Sequence, residues 1–117
     1  MIWRVWHGWT KLDKADAYEH YLREELFPRV KRELTARGYR GFQLLRAQRD
    51  AEVEFVTMLA FDSIQSVKSF AGENYSMAVI SDKAKSLLSH YAEQVEHYEL
   101  VDSIDSGSEG AGSWQAQ

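Results

Sequence analysis

Apolar residues recur along this chain with two spacings, one of period two and one near 3.6, and the switches between them mark out the elements. Residues 53–61 read Val-Glu-Phe-Val-Thr-Met-Leu-Ala-Phe. Val53, Phe55, Thr57, Leu59 and Phe61 alternate with Glu54, Val56, Met58 and Ala60, so past Glu54 both faces of the predicted strand are largely apolar. Residues 2–10 behave the same way, with Trp3, Val5, His7 and Trp9 on one parity and Ile2, Arg4, Trp6 and Gly8 on the other. Residues 41–49 and 94–101 predict two more strands, the first joined to 53–61 through a short Asp50-Ala51 turn as a hairpin. A strand that is apolar on two sides must be covered on two sides. A chain of 117 residues has helices enough for one side of a sheet, so a second copy is the expected cover of the other.

The 3.6 period appears between the strands. Tyr18, Leu22 and Leu26, with Tyr21 alongside, predict an amphipathic helix started by Asp13 as N-cap, with Glu19, Arg23 and Glu24 opposite. Pro28 lacks an N–H and biases Phe27 away from helical geometry, so this helix is expected to stop or kink there and resume through Val30 and Leu34 to Gly38. After residue 61, Asp62 stands as N-cap with Gln65 in the reciprocal position; Ile64, Val67 and Ala71 give the apolar face, and Gly72 the end. Residues 73–91 predict two short helices, one with Tyr75, Met77, Val79 and Ile80, the next starting at Ser81 or Asp82 with Ala84, Leu87, Leu88 and Tyr91. Residues 102–117 are Ser/Gly-rich and acidic and predict a flexible tail. The expected organisation is one domain over residues 1–101 and a tail over 102–117. Strand, helix, strand, strand, helices, strand is the α+β ferredoxin-like βαββαβ order, with antiparallel strands arranged 4-1-3-2.

Composition narrows the function classes. At 44% hydrophobic the chain carries a real core, and 14 Lys plus Arg scattered among 18 Asp plus Glu leave no basic stripe for nucleic acid or an anionic membrane. The absence of Cys removes disulfides, thiol nucleophiles and thiolate metal sites, and with no signal-like start the expected location is cytoplasmic. No stretch has the apolar length that spans a bilayer.

The run Ala60-Phe-Asp-Ser-Ile-Gln-Ser-Val-Lys-Ser-Phe-Ala-Gly72, the later Ala78-Val-Ile80, and Val95-Glu-His-Tyr-Glu-Leu100 resemble the antibiotic biosynthesis monooxygenase group of dimeric α+β barrel proteins, over residues 1 to about 101. The resemblance implies a homodimer through the sheet face away from the helices, and a cleft between sheet and helices that receives a small aromatic ligand. The group includes quinone-forming enzymes, haem-degrading enzymes and proteins without known activity, so fold alone does not fix the chemistry. The haem-degrading branch uses an Asn in strand one, a Trp late in the helix after strand three, and a proximal His about three turns on. These positions fall on His7, Phe70 and Ile80, and none of the three residues is retained. The cofactor expectation is therefore none, with haem disfavoured. The quinone-forming branch lets an electron-rich phenolate react with O2 in an aromatic pocket, without metal or flavin.

The same plan implies that the parity of Trp3, Val5, His7 and Trp9 faces the cleft. His7 is then the candidate base, tuned near neutral pH, against the competing reading of a satisfied core or interface imidazole. Tyr75 is the candidate hydrogen-bond donor to a substrate oxygen, and Trp3, Trp9, Phe70 and Ile80 the candidate substrate-binding wall, each against a packing role. His97 and Glu99 share a face, but two ligands are too few for a metal site. His20 and His90 read as structural or solvated, and Glu52, Glu54, Glu96 and Glu99 as edge and surface charges. No phosphate loop or nucleophile elbow occurs. Two functions stay open: a monooxygenase-like oxidation of an aromatic or polyphenolic small molecule, and a non-catalytic ligand-binding or interaction dimer of the same fold.

Overall fold

The period-two segments become strands in the computed structural model, which describes residues 1–104. Most of the expected tail, residues 105–117, lies outside the described residues. β1 (Ile2–Lys11), β2 (Tyr39–Gln48) and β3 (Glu52–Phe61) form as expected, the strand expected over 94–101 appears as β5 (Glu96–Glu99), and a two-residue strand, β4 (His90–Tyr91), stands where the second short helix was expected to end. All pairings are antiparallel, in the order β2-β3-β1, with β4 and β5 both on the far edge of β1. This is the 4-1-3-2 arrangement with its fourth strand in two pieces. The β2–β3 hairpin closes with the Arg49 N–H donating to the Glu52 carbonyl at 2.8 Å.

The first helix does not stop at Pro28. α1 (Ala15–Tyr21) runs through a π-helical stretch, Leu22–Leu26, into α2 (Phe27–Leu34), and Phe27 keeps helical angles of φ -69 and ψ -34. Widening the turn ahead of the proline accommodates its ring and missing donor without breaking the run. Asp13 lies in a 3₁₀ turn, Leu12–Lys14, and no side chain caps α1.

α3 (Ile64–Ala71) is capped by Ser63, whose hydroxyl accepts from the Ser66 N–H at 3.2 Å, rather than by Asp62. Arg40 holds the Asp62 carboxylate in a fork at 2.9 and 2.6 Å, so it is not free to cap. α4 (Asp82–Leu87) starts on Ser81 as expected, with the Ala84 N–H bonded to its hydroxyl at 3.1 Å. The helix expected before it is absent. Tyr75, Met77 and Val79 recur every second residue, and the segment lies extended beside residues 93–95: Met77 bridges Gln94, the Ala78 N–H donates to the Glu93 carbonyl, and the Val95 N–H to the Ser76 carbonyl.

Tyr18, Leu22, Phe27 and Val30 from the helical layer bury against Val53, Phe55, Leu59 and Phe61 of β3, with Val67 and Ala84 completing the core. Tyr18 and Phe55 meet edge to face at 5.0 Å. The register sets which face of β1 joins this core. Arg4 pairs Leu59, Trp6 pairs Thr57, Gly8 pairs Phe55 and Thr10 pairs Val53, so these residues look toward the helices. Gly8 fits closely on that side: a Cβ there would lie 3.1 Å from Leu88 Cδ2 and 3.2 Å from the Trp6 ring, so those side chains would have to give by a few tenths of an ångström. Among the described residues no helix is long and apolar enough to cross a membrane.

Gly38 ends the first helical run at φ 104, and an added Cβ would overlap the Ser66 side chain. Gly72 has φ 83, with nothing within 4 Å of an added Cβ. Gly38→Ala is therefore expected to lose more stability in urea denaturation than Gly72→Ala, by about 1–3 kcal/mol for the first, since it adds a collision to the backbone strain both share.

Candidate functional site

The helix-facing side of the sheet does not close completely against its cover. A cavity of about 660 Å³ remains, with Arg4, Trp6, Thr57 and Leu59 on the sheet side, Tyr18, Tyr21, Leu26 and Phe27 on the helical side, and Phe70, Val79, Ile80 and Ser81 along its margin. Apolar and aromatic groups dominate this wall, as in pockets for small organic molecules. The Tyr21 hydroxyl and Ser81 Oγ lie 2.7 Å apart, tying the helical run to the start of α4. Burial, and then the neighbouring Tyr21, push the Tyr18 phenol well above its usual range, so it stays protonated and able to donate.

Arg4 is the one charged side chain among the buried residues of the described part, at 4% exposure. Its Nη1 donates to the Tyr75 carbonyl at 2.6 Å and lies 3.0 Å from His97 Nε2, and its Nη2 donates to the Met77 carbonyl at 3.2 Å. The guanidinium also lies 5.4 Å from the centroid of the Phe70 ring. Among the described residues no carboxylate pairs with it. Burial pulls the guanidinium down to about 10, which leaves it a cation at neutral pH. Because arginine only donates, His97 Nε2 must accept, which assigns the neutral imidazole with its proton on Nδ1. Burial first, and then the charge of Arg4, hold His97 below its ordinary value, with Glu96 pulling the other way.

The opposite face carries a second polar group. His7 Nδ1 lies 2.7 Å from Glu54 Oε2, and Arg49 Nη2 donates to Glu54 Oε1 at 2.7 Å. Trp9 stacks on His90 at 4.5 Å, and His90 Nε2 is 2.9 Å from Glu52, which also accepts from the Ser89 hydroxyl. Glu54 is held below the usual carboxylate range by Arg49 and then His7, and Glu52 by Ser89 and then His90.

The expectation that Trp3, His7 and Trp9 face the cleft is therefore corrected. The register pairs Trp3 with Ala60, His7 with Val56 and Trp9 with Glu54, which puts all three on the face away from the helices. Phe70 and Ile80 do line the cavity. Tyr75 contributes its carbonyl to Arg4, while its ring packs edge-on against His97 at 5.2 Å. His97 and Glu99 share the helix-facing side by register, but His97 Nε2 is taken by Arg4. Among the described residues no group of three metal-ligating side chains comes together.

Arg4, Trp6, Tyr18, Tyr21 and Thr57 are the cavity residues that sequence reasoning missed. A usable signal existed for the first two: once Val56 and Met58 are given to the open face, antiparallel pairing gives their partners His7 and Val5 to it as well, and sends Arg4 and Trp6 inward.

In overall shape the chain is similar to the crystal structure of a dimeric ferredoxin-like protein from an uncultured marine organism. The likeness has a TM-score of 0.60 and covers 89% of this chain and 97% of that one, at 11% sequence identity. The fold is ferredoxin-like. No protein-family model and no curated protein matches the chain.

A His97 that titrates below the unfolded value of 6.5 binds its proton later in the folded than in the unfolded state. Its contribution to stability is thus complete above about 6.5 and falls as the pH drops from there through the folded value. His97→Gln is expected to flatten that segment of the stability profile, measured by denaturation across pH. An unchanged slope would show that other groups set it.

Proposed function

We propose that this chain is a homodimeric, monooxygenase-like protein whose sheet–helix cavity holds an aromatic or polyphenolic small molecule. The observation that carries this reading is the cavity of about 660 Å³, walled by Trp6, Tyr18, Tyr21, Phe27 and Phe70 around the buried Arg4. Such a site suits cofactor-independent oxidation. A cation beside a phenolic oxygen favours the phenolate, the electron-rich form that O2 can attack, and the apolar wall strengthens that charge interaction. For an activated ring methylene the balance closes without an outside reductant: CH2 plus O2 gives C=O plus water. The family of antibiotic biosynthesis monooxygenases supplies the precedent, through the motif resemblance and the shared fold.

One observation favours the non-catalytic reading of the same cavity. His7, the expected base, lies on the other face, and His97 Nε2 is turned to Arg4. A ligand whose phenol ionises unaided can still react, whereas one that needs a base will only bind. No cofactor enters this proposal.

The dimer reading rests on the open face. Leu45 and Tyr98 there are 50% and 57% exposed, and Trp3, Val5, Val56 and Met58 lie between them by register. An apolar surface of this extent on one side of a small sheet suits a second copy. In that assembly His7, Glu54 and Arg49 become an interface network.

Two measurements test the proposal. Light scattering should give twice the 13.5 kDa chain mass, falling to one chain for Leu45→Glu combined with Val56→Asp; a monomeric wild type would remove the dimer. Oxygen uptake with a phenol that carries an activated ring methylene, an anthrone, should fall about tenfold or more in Arg4→Met, while His7→Ala should leave it within about twofold, because Arg4 lines the cavity and His7 faces away from it. Uptake at the uncatalysed rate in the wild type, with binding retained, would select the non-catalytic reading.

A further inference from the structure

We infer that the ligand of the sheet–helix cavity carries a carboxylate, and that Arg4 takes it side-on. This rests on the reading that the cavity binds a small molecule. A guanidinium has five N–H groups. The two on Nη1 go to the Tyr75 carbonyl and His97, and one on Nη2 goes to the Met77 carbonyl. The Nε–H and the other Nη2–H have no partner among the described residues, although Arg4 lines the cavity. Nε and Nη2 form the edge of the guanidinium that matches the two oxygens of a carboxylate, and each of them keeps an N–H without a partner.

Charge leads to the same class. The three groups that hold Arg4 are two carbonyl dipoles and a neutral imidazole, which orient the cation without neutralising it. A buried charge left uncompensated is costly, and an anion entering the cavity removes that cost. The remaining charged groups on the wall are Arg29, Arg37 and Glu33, so the lining is cationic in a chain whose net charge is -4. The Tyr18 phenol, kept protonated by its burial, also lines this wall and offers its O–H to the acid. A phosphate would leave its remaining oxygens against an apolar wall, whereas the fork satisfies both oxygens of a carboxylate; on a hydroxylated aromatic acid an adjacent phenolic oxygen stays beside the same cation, as the oxidation reading requires. The matching ligand is an aromatic or apolar carboxylic acid whose body lies against Trp6, Leu26, Phe27 and Ile80. His97 is then a positioning residue: by accepting from Nη1 it keeps the free edge of Arg4 turned in one direction.

Titration calorimetry of the full chain at pH 7 with 2-naphthoic acid and with its neutral amide tests this. The wild type is expected to bind the acid about tenfold or more tightly than the amide, the size of one charge-assisted fork. Arg4→Met is expected to bring the acid down to the affinity of the amide, and Arg4→Lys, which keeps the charge but not the fork, to fall between. Should either variant fail to fold, the wild-type ratio decides by itself. Equal binding of acid and amide by the wild type would overturn the carboxylate and leave the cavity reading standing. Binding of neither would overturn both.

Discussion

The pairing of β1 with β3 governs both surfaces on which the function rests. From Ile2 opposite Phe61 to Lys11 opposite Glu52 the register is continuous, so each residue of β1 shares a face with its partner in β3. Val53, Phe55, Leu59 and Phe61 are buried under the helices, which sends Arg4, Trp6, Gly8 and Thr10 to the same side. A slip of one residue would place Trp3, His7 and Trp9 beneath the helices and expose Arg4. One strand therefore supplies the floor of the cavity with one parity and the middle of the open sheet face with the other.

Arg4 links that strand to the least regular part of the chain. Residues 73–81 form no helix, and their position depends on a few backbone hydrogen bonds to residues 93–95 and on the carbonyls of Tyr75 and Met77 bound by Arg4. Hydrogen bonds to a charged donor are worth roughly 1.5–3 kcal/mol each, so this contact weighs heavily in a segment with no helix of its own. The same guanidinium orients His97 on β5 and lies over Phe70 of α3. The cation at the floor of the cavity is thus also what holds its margin, and a ligand on Arg4 would reach residues 73–81 both through Arg4 and through its own contact with Ile80.

Much of this fold was legible in the sequence. The four strand segments followed from period-two alternation, their order gave the sheet arrangement, and the start of α4 at Ser81 and the end of the first helical run at Gly38 followed from capping chemistry. The strands also pointed to the apolar open face, since Val56 and Met58 had no helix to cover them. The inward parity of β1 was harder to read. Trp residues occupy both parities, and the family plan put the parity of Trp3, His7 and Trp9 in the cleft, whereas the buried position of Arg4 depends on carbonyls more than 70 residues away. Local signals failed for a similar reason elsewhere. Asp62 is a good cap by type but is held by Arg40 across the fold, and Tyr75 to Ile80 are apolar enough for a helix yet satisfy their backbone against residues 93–95. Of the candidate site residues, Phe70 reached the cavity from α3, whose helix position the motif fixes, and Ile80 reached it from the extended segment just ahead of α4.

Hydroxyl-radical footprinting across a dilution series, with and without an aromatic carboxylic acid, reads both faces of β1 in one experiment. The expected result is protection of Trp3, Trp9 and Met58 that disappears on dilution and ignores the acid, together with protection of Trp6 and Tyr21 that appears with the acid and ignores dilution. Protection of Trp9 by the acid, or of Trp6 by self-association, would contradict the assignment of one face to the ligand and the other to the second copy.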